Sequence, residues 1–197
     1  MPQKHFFVSL IKKCDKIFSM IVLSGASASG KTEAAKMLMV KYGIKKAITT
    51  TTRPMRCNEQ NGRDYFFISI PEFEQMIKDD KFVEHTLYNG NHYGSTKDQI
   101  ADNRSVVIDL EGLKSYSALN NKRIVTFYLS TSEDVRFARM LERGDKKEDA
   151  IKRIENDRII FADENIPKVD FRIDSENKTI EQVADEIYRL YWKKLKS

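Results

Sequence analysis

The chain has little cysteine. Cys14 and Cys57 are the two among its 197 residues, far apart and without metal-ligand spacing, so neither a disulfide framework nor a zinc site is expected and both read as free thiols. No apolar run approaches membrane-spanning length. The first nineteen residues, MPQKHFFVSLIKKCDKIFS, mix basic with apolar side chains. They lack the uninterrupted apolar stretch and small-residue cleavage site of a secretory signal. Internal repeats are missing, and so is low complexity beyond the four threonines Thr49 to Thr52, for which β-propensity is account enough. A basic stretch interleaved with aromatics, the signature of nucleic-acid binding, is missing too.

What is present is 41% hydrophobic and 32% charged residues, with a mean hydropathy of -0.53. That balance describes a soluble, cytoplasmic protein whose length suits a single α/β domain with modest insertions. The net charge of +5 and the isoelectric point near 9.0 fit nucleic acid or, equally, arginines gathered around a polyanionic small molecule. Charge alone does not choose. Met20 opens the first strand, so residues 1–19 read as an extension without assigned function. They are a poorly ordered segment, sequence upstream of a misassigned start, or an amphipathic helix packed on the domain.

Met20 to Ser24 is a short buried strand, followed by a loop and a helix from about Lys31 with Ala34, Ala35, Leu38, Met39 and Tyr42 on its apolar face and Gly43 as its stop. Buried strands at Ser105 to Leu110, Arg123 to Leu129 and Val169 to Ile173 alternate with helical segments, the last helix starting at Thr179. This is the rhythm of a parallel sheet with crossover helices. Two stretches interrupt it. Thr49 to about Ala101 has short aromatic strands at Tyr65 to Ile68 and Lys81 to Glu84, with turn signals at Asn61-Gly62 and Asn89-Gly90-Asn91. Arg136 to about Phe161 is charged and helical, broken at Gly144-Asp145.

The loop Gly25-Ala26-Ser27-Ala28-Ser29-Gly30-Lys31-Thr32 fits G-x-x-x-x-G-K-[ST], with strand before and helix after as the motif requires. Its backbone N–H groups and the helix N-terminus attract the β- and γ-phosphates of a nucleotide. Lys31 adds a mobile positive charge, and Thr32 a hydroxyl for Mg²⁺.

Residues beyond this loop point to the acceptor. Thr51-Thr52-Arg53-Pro54-Met55-Arg56-Cys57-Asn58-Glu59-Gln60-Asn61-Gly62-Arg63-Asp64-Tyr65-Phe66-Phe67 resembles the guanylate kinase pattern TTR-x-x-R-x-x-E-x-x-G-x-D-Y-x-F, and Phe82-Val83-Glu84 and Gly90 to Thr96 come after it at fitting distances. The resemblance runs from about Ile21 to the C-terminus and is most specific between Thr49 and Gly112. It implies a P-loop NTPase fold, a three-layer α/β/α domain with a central parallel sheet. Within domain 20–197 the core is 20–48, 101–135 and 162–197, the GMP-binding lobe 49–100 and the helical lid 136–161.

Arg53 and Arg56 offer planar forks that, with the hydroxyls of Tyr65 and Tyr93, can surround a dianionic phosphate. Glu84 can accept from both the ring N1–H and the exocyclic amine of guanine. The resemblance implies the same roles, adds Glu59 to the GMP site, and makes Thr49, Ser95 and Asp109 further contacts to base or Mg²⁺-bound water. Arg139 and Arg143, four apart on one helix face, and Arg153 on the next helix resemble the lid arginines that spread cationic charge over the transferring phosphoryl group. Together with Lys31 they are the expected catalytic residues; Arg136, Lys146 and Lys147 read as a solvated face. The expected reaction is MgATP plus GMP to ADP plus GDP, with dGMP a second acceptor. Partners are these nucleotides, without nucleic acid or membrane, in a monomer or homodimer.

The chain departs from the family pattern in places. Ala26 and Ala28 stand where the loop usually has proline and glycine, Cys57-Asn58 lacks the usual small residue or proline followed by glycine, and Val107 replaces the first acid of D-x-D-x-x-G, leaving Asp109. Asp174-Ser175 stands where the family commonly has asparagine near the adenine. Two other readings stay open: a guanylate-kinase-like module that binds a protein without catalysis, and a P-loop kinase of another phosphorylated small molecule. Lys31, Thr32, Arg53, Arg56 and Glu84 weigh against the first, and Glu84 with Tyr93-Gly94-Ser95 against the second.

Overall fold

Strand β1 (Met20–Ser24) is buried along its whole length. Ile21 and Leu23 enter one apolar cluster and Met20 and Val22 the other, so successive side chains feed cores on opposite faces. The computed structural model describes residues 19–197, and the expectations for residues 1–18, Cys14 among them, lie outside that range. Beside β1 lie β2 (Lys45–Lys46), β7 (Arg104–Val107), β8 (Ile124–Ser130) and β9 (Phe171–Asp174). They form one sheet in the order β2-β7-β1-β8-β9, parallel throughout.

Helices α1 (Lys31–Tyr42) and α6 (Ile180–Leu195) cover one face, through Ala34, Ala35 and Leu38 on the first and Val183, Ala184, Ile187 and Tyr191 on the second. Helix α3 (Leu110–Ala118) covers the other with Leu110, Leu113 and Tyr116. This is the three-layer α/β/α arrangement that the resemblance implied, built on the parallel sheet expected from the alternation of elements. Met39, expected on the apolar face of α1, is 45% exposed. Tyr42 reaches inward, stacking on Tyr188 at 3.8 Å between ring centroids.

A second sheet is made of β3 (Thr50–Thr51), β4 (Phe66–Phe67), β5 (Phe82–Tyr88) and β6 (Asn91–Thr96), in the order β4-β3-β6-β5. Helix α2 (Ile70–Lys78) begins with a capping box between Ser69 and Glu72 and stacks Phe73 on Phe82. Strand β5 runs four residues past Glu84, because β6 pairs with it as far as Asn91 across the Asn89-Gly90 turn. Both turn residues have positive φ, 50° and 75°, as a tight hairpin turn requires. The charged stretch forms two helices, α4 (Glu133–Glu142) and α5 (Lys147–Ile160), joined through Gly144-Asp145.

Two strand ends differ from expectation, each because a side chain replaces the ladder. The strand expected to reach Leu110 stops at Val107, since Asp109 caps α3 by accepting from Gly112 N at 2.8 Å. The last strand starts at Phe171 rather than Val169, since the Asp170 carboxylate takes the Thr126 N–H and hydroxyl, both at 2.9 Å.

Candidate active site

The loop after β1 is shaped by close approach. A Cβ at Gly25 would fall 2.4 Å from the Leu129 carbonyl oxygen, so only glycine fits there. Lys31 folds back over the loop, its Nζ donating to the Gly25 and Ala26 carbonyls at 2.6 and 2.7 Å. Burial pushes its ammonium down to about 8, with Arg136 and Arg143 adding repulsion against the pull of Asp157. An ammonium so destabilised gains from an arriving phosphate. Ala28 has φ 61°, in the left-handed region that costs a residue with a side chain about 1–2 kcal/mol. The conformation expected of a glycine is therefore kept with alanine in place, and the methyl packs against Met140 of α4 and Ala150 and Ile154 of α5.

Across the cleft, Glu84 is 5% exposed and accepts from Ser95 Oγ at 2.6 Å. Burial raises its carboxyl to about 7, the Ser95 hydrogen bond opposing this and the charge of Asp109 adding to it. A Cβ at Gly112 would meet Glu84 Oε2 at 3.0 Å, so that glycine leaves the carboxylate its room. Burial likewise raises Asp109, against its hydrogen bonds from Gly112 and Thr86. Arg53 lies across Tyr65 and is gripped by Glu59 through two contacts from Nη2 at 2.7 and 2.9 Å. Glu59 also accepts the Arg56 backbone N–H at 2.8 Å. Burial would raise Glu59, yet the hydrogen bonds from Arg53 and Arg56 hold it below the usual carboxylate range.

Burial lowers Arg56, as do the charges of Arg53, Arg143 and Arg153. Four guanidiniums thus face one space, an arrangement that repels itself until an anion enters. Asp145 bridges two of them, to Arg143 at 2.5 Å and Arg153 at 3.4 Å. A cleft of about 610 Å³ joins both sides. Its wall includes Gly25, Ser27, Ala28, Lys31 and Thr32 at one end, Thr49, Arg53, Arg56, Tyr65, Glu84 and Tyr93 at the other, and Asp109, Arg143 and Arg153 between.

Residues 18–194 match the family model for guanylate kinase. The chain belongs to the guanylate kinase family. It is 36% identical over 142 residues to a guanylate kinase of Dechloromonas aromatica (strain RCB), covering 68% of this chain and 70% of that one. To a guanylate kinase of Chlorobium luteolum it is 29% identical over 168 residues, 78% of this chain and 84% of the other. The crystal structure of guanylate kinase from Anaplasma phagocytophilum matches with a TM-score of 0.64 at 26% identity, over 90% of this chain and 86% of that one.

Several of the expected residues are not among those that line the cleft. Glu59 and Ser95 instead hold Arg53 and Glu84, which line it. Ala26, Ser29 and Gly30 belong to the loop but are not among the lining residues. The Arg139 guanidinium donates to the Ala28 and Ser175 carbonyls at 3.3 and 3.1 Å, while Arg143 and Arg153 line the cleft. Arg136 is not a solvated face: it is 4% exposed and paired with Asp157, itself 1% exposed, at 2.9 Å. A charge-rich helix hides such a pair because the burial comes from the partner 21 residues away. Sequence reasoning also missed Thr86, Tyr88 and Lys152 in the wall; the uneven alternation past Glu84 carried no strand signal that would have placed the first two.

Proposed function

We propose that this cleft performs ATP-dependent phosphorylation of GMP to GDP, and of dGMP to dGDP, in the cytoplasm. The observation that carries the reading is the meeting of a lysine-bearing phosphate loop with a buried, serine-held carboxylate and four arginines in one cavity. Glu84 accepts from guanine N1–H and the exocyclic amine. Arg53, Arg56, Tyr65 and Tyr93 take the GMP phosphate, and Thr49 and Asp109 complete the acceptor end. Residues 25–32 cradle the ATP phosphates. The division into core, lobe 49–100 and lid 136–161 belongs to this proposal.

The GMP phosphate oxygen is already ionised, so it attacks the γ-phosphorus without a general base. The new P–O bond forms as the bond to the β–γ bridging oxygen breaks, and ADP leaves with that electron pair. Lys31, Arg143 and Arg153 neutralise the charge that passes between the nucleotides. Arg139 acts through the loop carbonyl it holds. Mg²⁺ bound with ATP supplies further neutralisation of the β- and γ-phosphates, and Thr32 and Asp109 are the residues that would hold it. The fit is sound: a carboxyl whose charged form burial disfavours gains from a cation beside it. Among the described residues no three His, Cys, Asp or Glu side chains form a metal cage. Among them, too, no helix is long and apolar enough to cross a membrane.

The test is ADP release, measured with ATP and Mg²⁺ across GMP, dGMP, AMP, CMP and UMP. Turnover is expected with the guanine nucleotides alone. Failure with both guanine nucleotides would sink the reading.

A further inference from the structure

A residue with a side chain stays at positive φ only where its surroundings over-determine it. Around Ala28 the surroundings come largely from outside the loop. Its predecessor Ser27 gives its backbone N–H to Asp157 Oδ2 at 2.7 Å, accepts Arg136 Nη1 on its carbonyl at 3.4 Å, and shares a 3.2 Å hydroxyl hydrogen bond with Tyr88. The Ala28 carbonyl accepts from Arg139, and the Ser29 carbonyl from the Ser175 hydroxyl at 2.9 Å. The Ala28 methyl, which glycine would lack, rests in the small apolar cluster between α4 and α5. Asp157 is where these supports join. Besides Ser27 it receives Tyr88 Oη at 2.5 Å and Arg136 Nη1 at 2.9 Å, so one buried carboxylate holds the loop, the tip of β5 and helix α4.

We propose that Asp157, with Arg136, is a positioning pair for the ATP site: it keeps the phosphate loop in its binding shape from the lid, supplying the conformational control that Ala28 lacks. A carboxylate that served only to tie α4 to α5 would need Arg136 alone. The Ser27 N–H and the Tyr88 hydroxyl on the same group make the loop part of the same unit. Glu84, Arg53 and Arg56 donate nothing to it and accept nothing from it, and Tyr88 meets Tyr93 only by a ring edge at 6.3 Å between centroids, so the effect falls chiefly on the donor end. Because the pair offsets a strained alanine, its importance falls when residue 28 is glycine.

The proposal rests on reading residues 25–32 as the ATP loop. It is tested by steady-state ADP release with Asp157→Asn in the parent and in Ala28→Gly, recording KM for ATP, KM for GMP and the thermal midpoint. The variant keeps size and loses charge. In the parent KM for ATP rises about tenfold, the scale of a lost hydrogen bond to a charged group, while KM for GMP moves less than about twofold. In the Ala28→Gly background the rise shrinks to about threefold or less, since coupled sites are not additive. An equal factor in both backgrounds, or an equal rise in both KM values, overturns the proposal. Should Asp157→Asn fail to fold, Tyr88→Phe removes the hydroxyl shared by Ser27 and Asp157 without changing charge. It raises KM for ATP by about two- to threefold in the parent alone; no rise in the parent also overturns it. Failure of the loop reading looks different: Lys31→Ala would then leave ADP release intact.

Discussion

On the acceptor side of the cleft the supports are local: Glu59 holds Arg53 from 6 residues away, and Ser95 holds Glu84 from 11. On the donor side they are distant. Ser27 is held by Asp157 across 130 residues and Ala28 by Arg139 across 111. The holds on Arg53 and Glu84 therefore form with the second sheet and its connections, whereas the phosphate loop reaches its full set of contacts only with α4 and α5 packed against it. For a phosphotransferase this is a useful asymmetry: on the proposed assignment, helices that shape the ATP loop would also exclude water before transfer.

The largest expected effect breaks the two sides apart. Lys31→Ala should lower kcat about 10²- to 10³-fold, the loss typical of a group aimed at transition-state charge. GMP affinity, measured by titration, should change less than about twofold, since Lys31 Nζ contacts only loop atoms. A matching loss of GMP affinity would contradict the division into donor and acceptor ends. Next comes Glu84→Gln, which should raise KM for GMP roughly tenfold to a hundredfold, on the scale of lost hydrogen bonds to a charged group, and spare KM for ATP. Unchanged GMP affinity would remove Glu84 from base recognition. Smaller still, Glu59→Gln loosens Arg53 without removing it. KM for GMP should rise about fivefold, less than for Arg53→Ala; if the two variants behave alike, Glu59 is doing more than holding Arg53.

The same asymmetry decided what could be read from the chain. The phosphate loop, the Thr51 to Phe67 stretch and the three-layer core are local patterns, and local patterns survive in a linear sequence. Ala28 could be recognised as standing where glycine is usual, but the compensation for it could not, because Asp157, Arg136 and Tyr88 come together only in three dimensions. Arg136 lies in a helix so charged that nothing distinguishes its buried side chain from exposed neighbours. Glu59 and Ser95 were legible as members of the motif, but a linear pattern does not show that they hold Arg53 and Glu84 by hydrogen bonds. The ends of β7 and β9 moved because the Asp109 and Asp170 carboxylates took over backbone hydrogen bonds.

A pH profile sharpens the acceptor side. Burial raises Glu84 to about 7 in the folded protein, above its ordinary carboxylate value. Between the two values the fold retains a proton that the unfolded chain has released, so neutral Glu84 favours folding below the unfolded pKa and loses that contribution as pH rises through about 7. Guanine recognition has the opposite sign, because only the carboxylate accepts from two N–H groups. KM for GMP should therefore rise as pH falls below 7, by about tenfold per unit once Glu84 is mostly protonated. The GMP phosphate also gains a proton near pH 6, which alone would tilt the profile. Comparison with Glu84→Gln removes that contribution, since both proteins meet the same phosphate. The ratio of their KM values for GMP should shrink about tenfold between pH 8 and pH 6, as the parent's protonated carboxyl comes to resemble the amide. A ratio constant across that range would mean that Glu84 stays ionised in the free cleft, and that Asp109 and the surrounding burial do not set its charge.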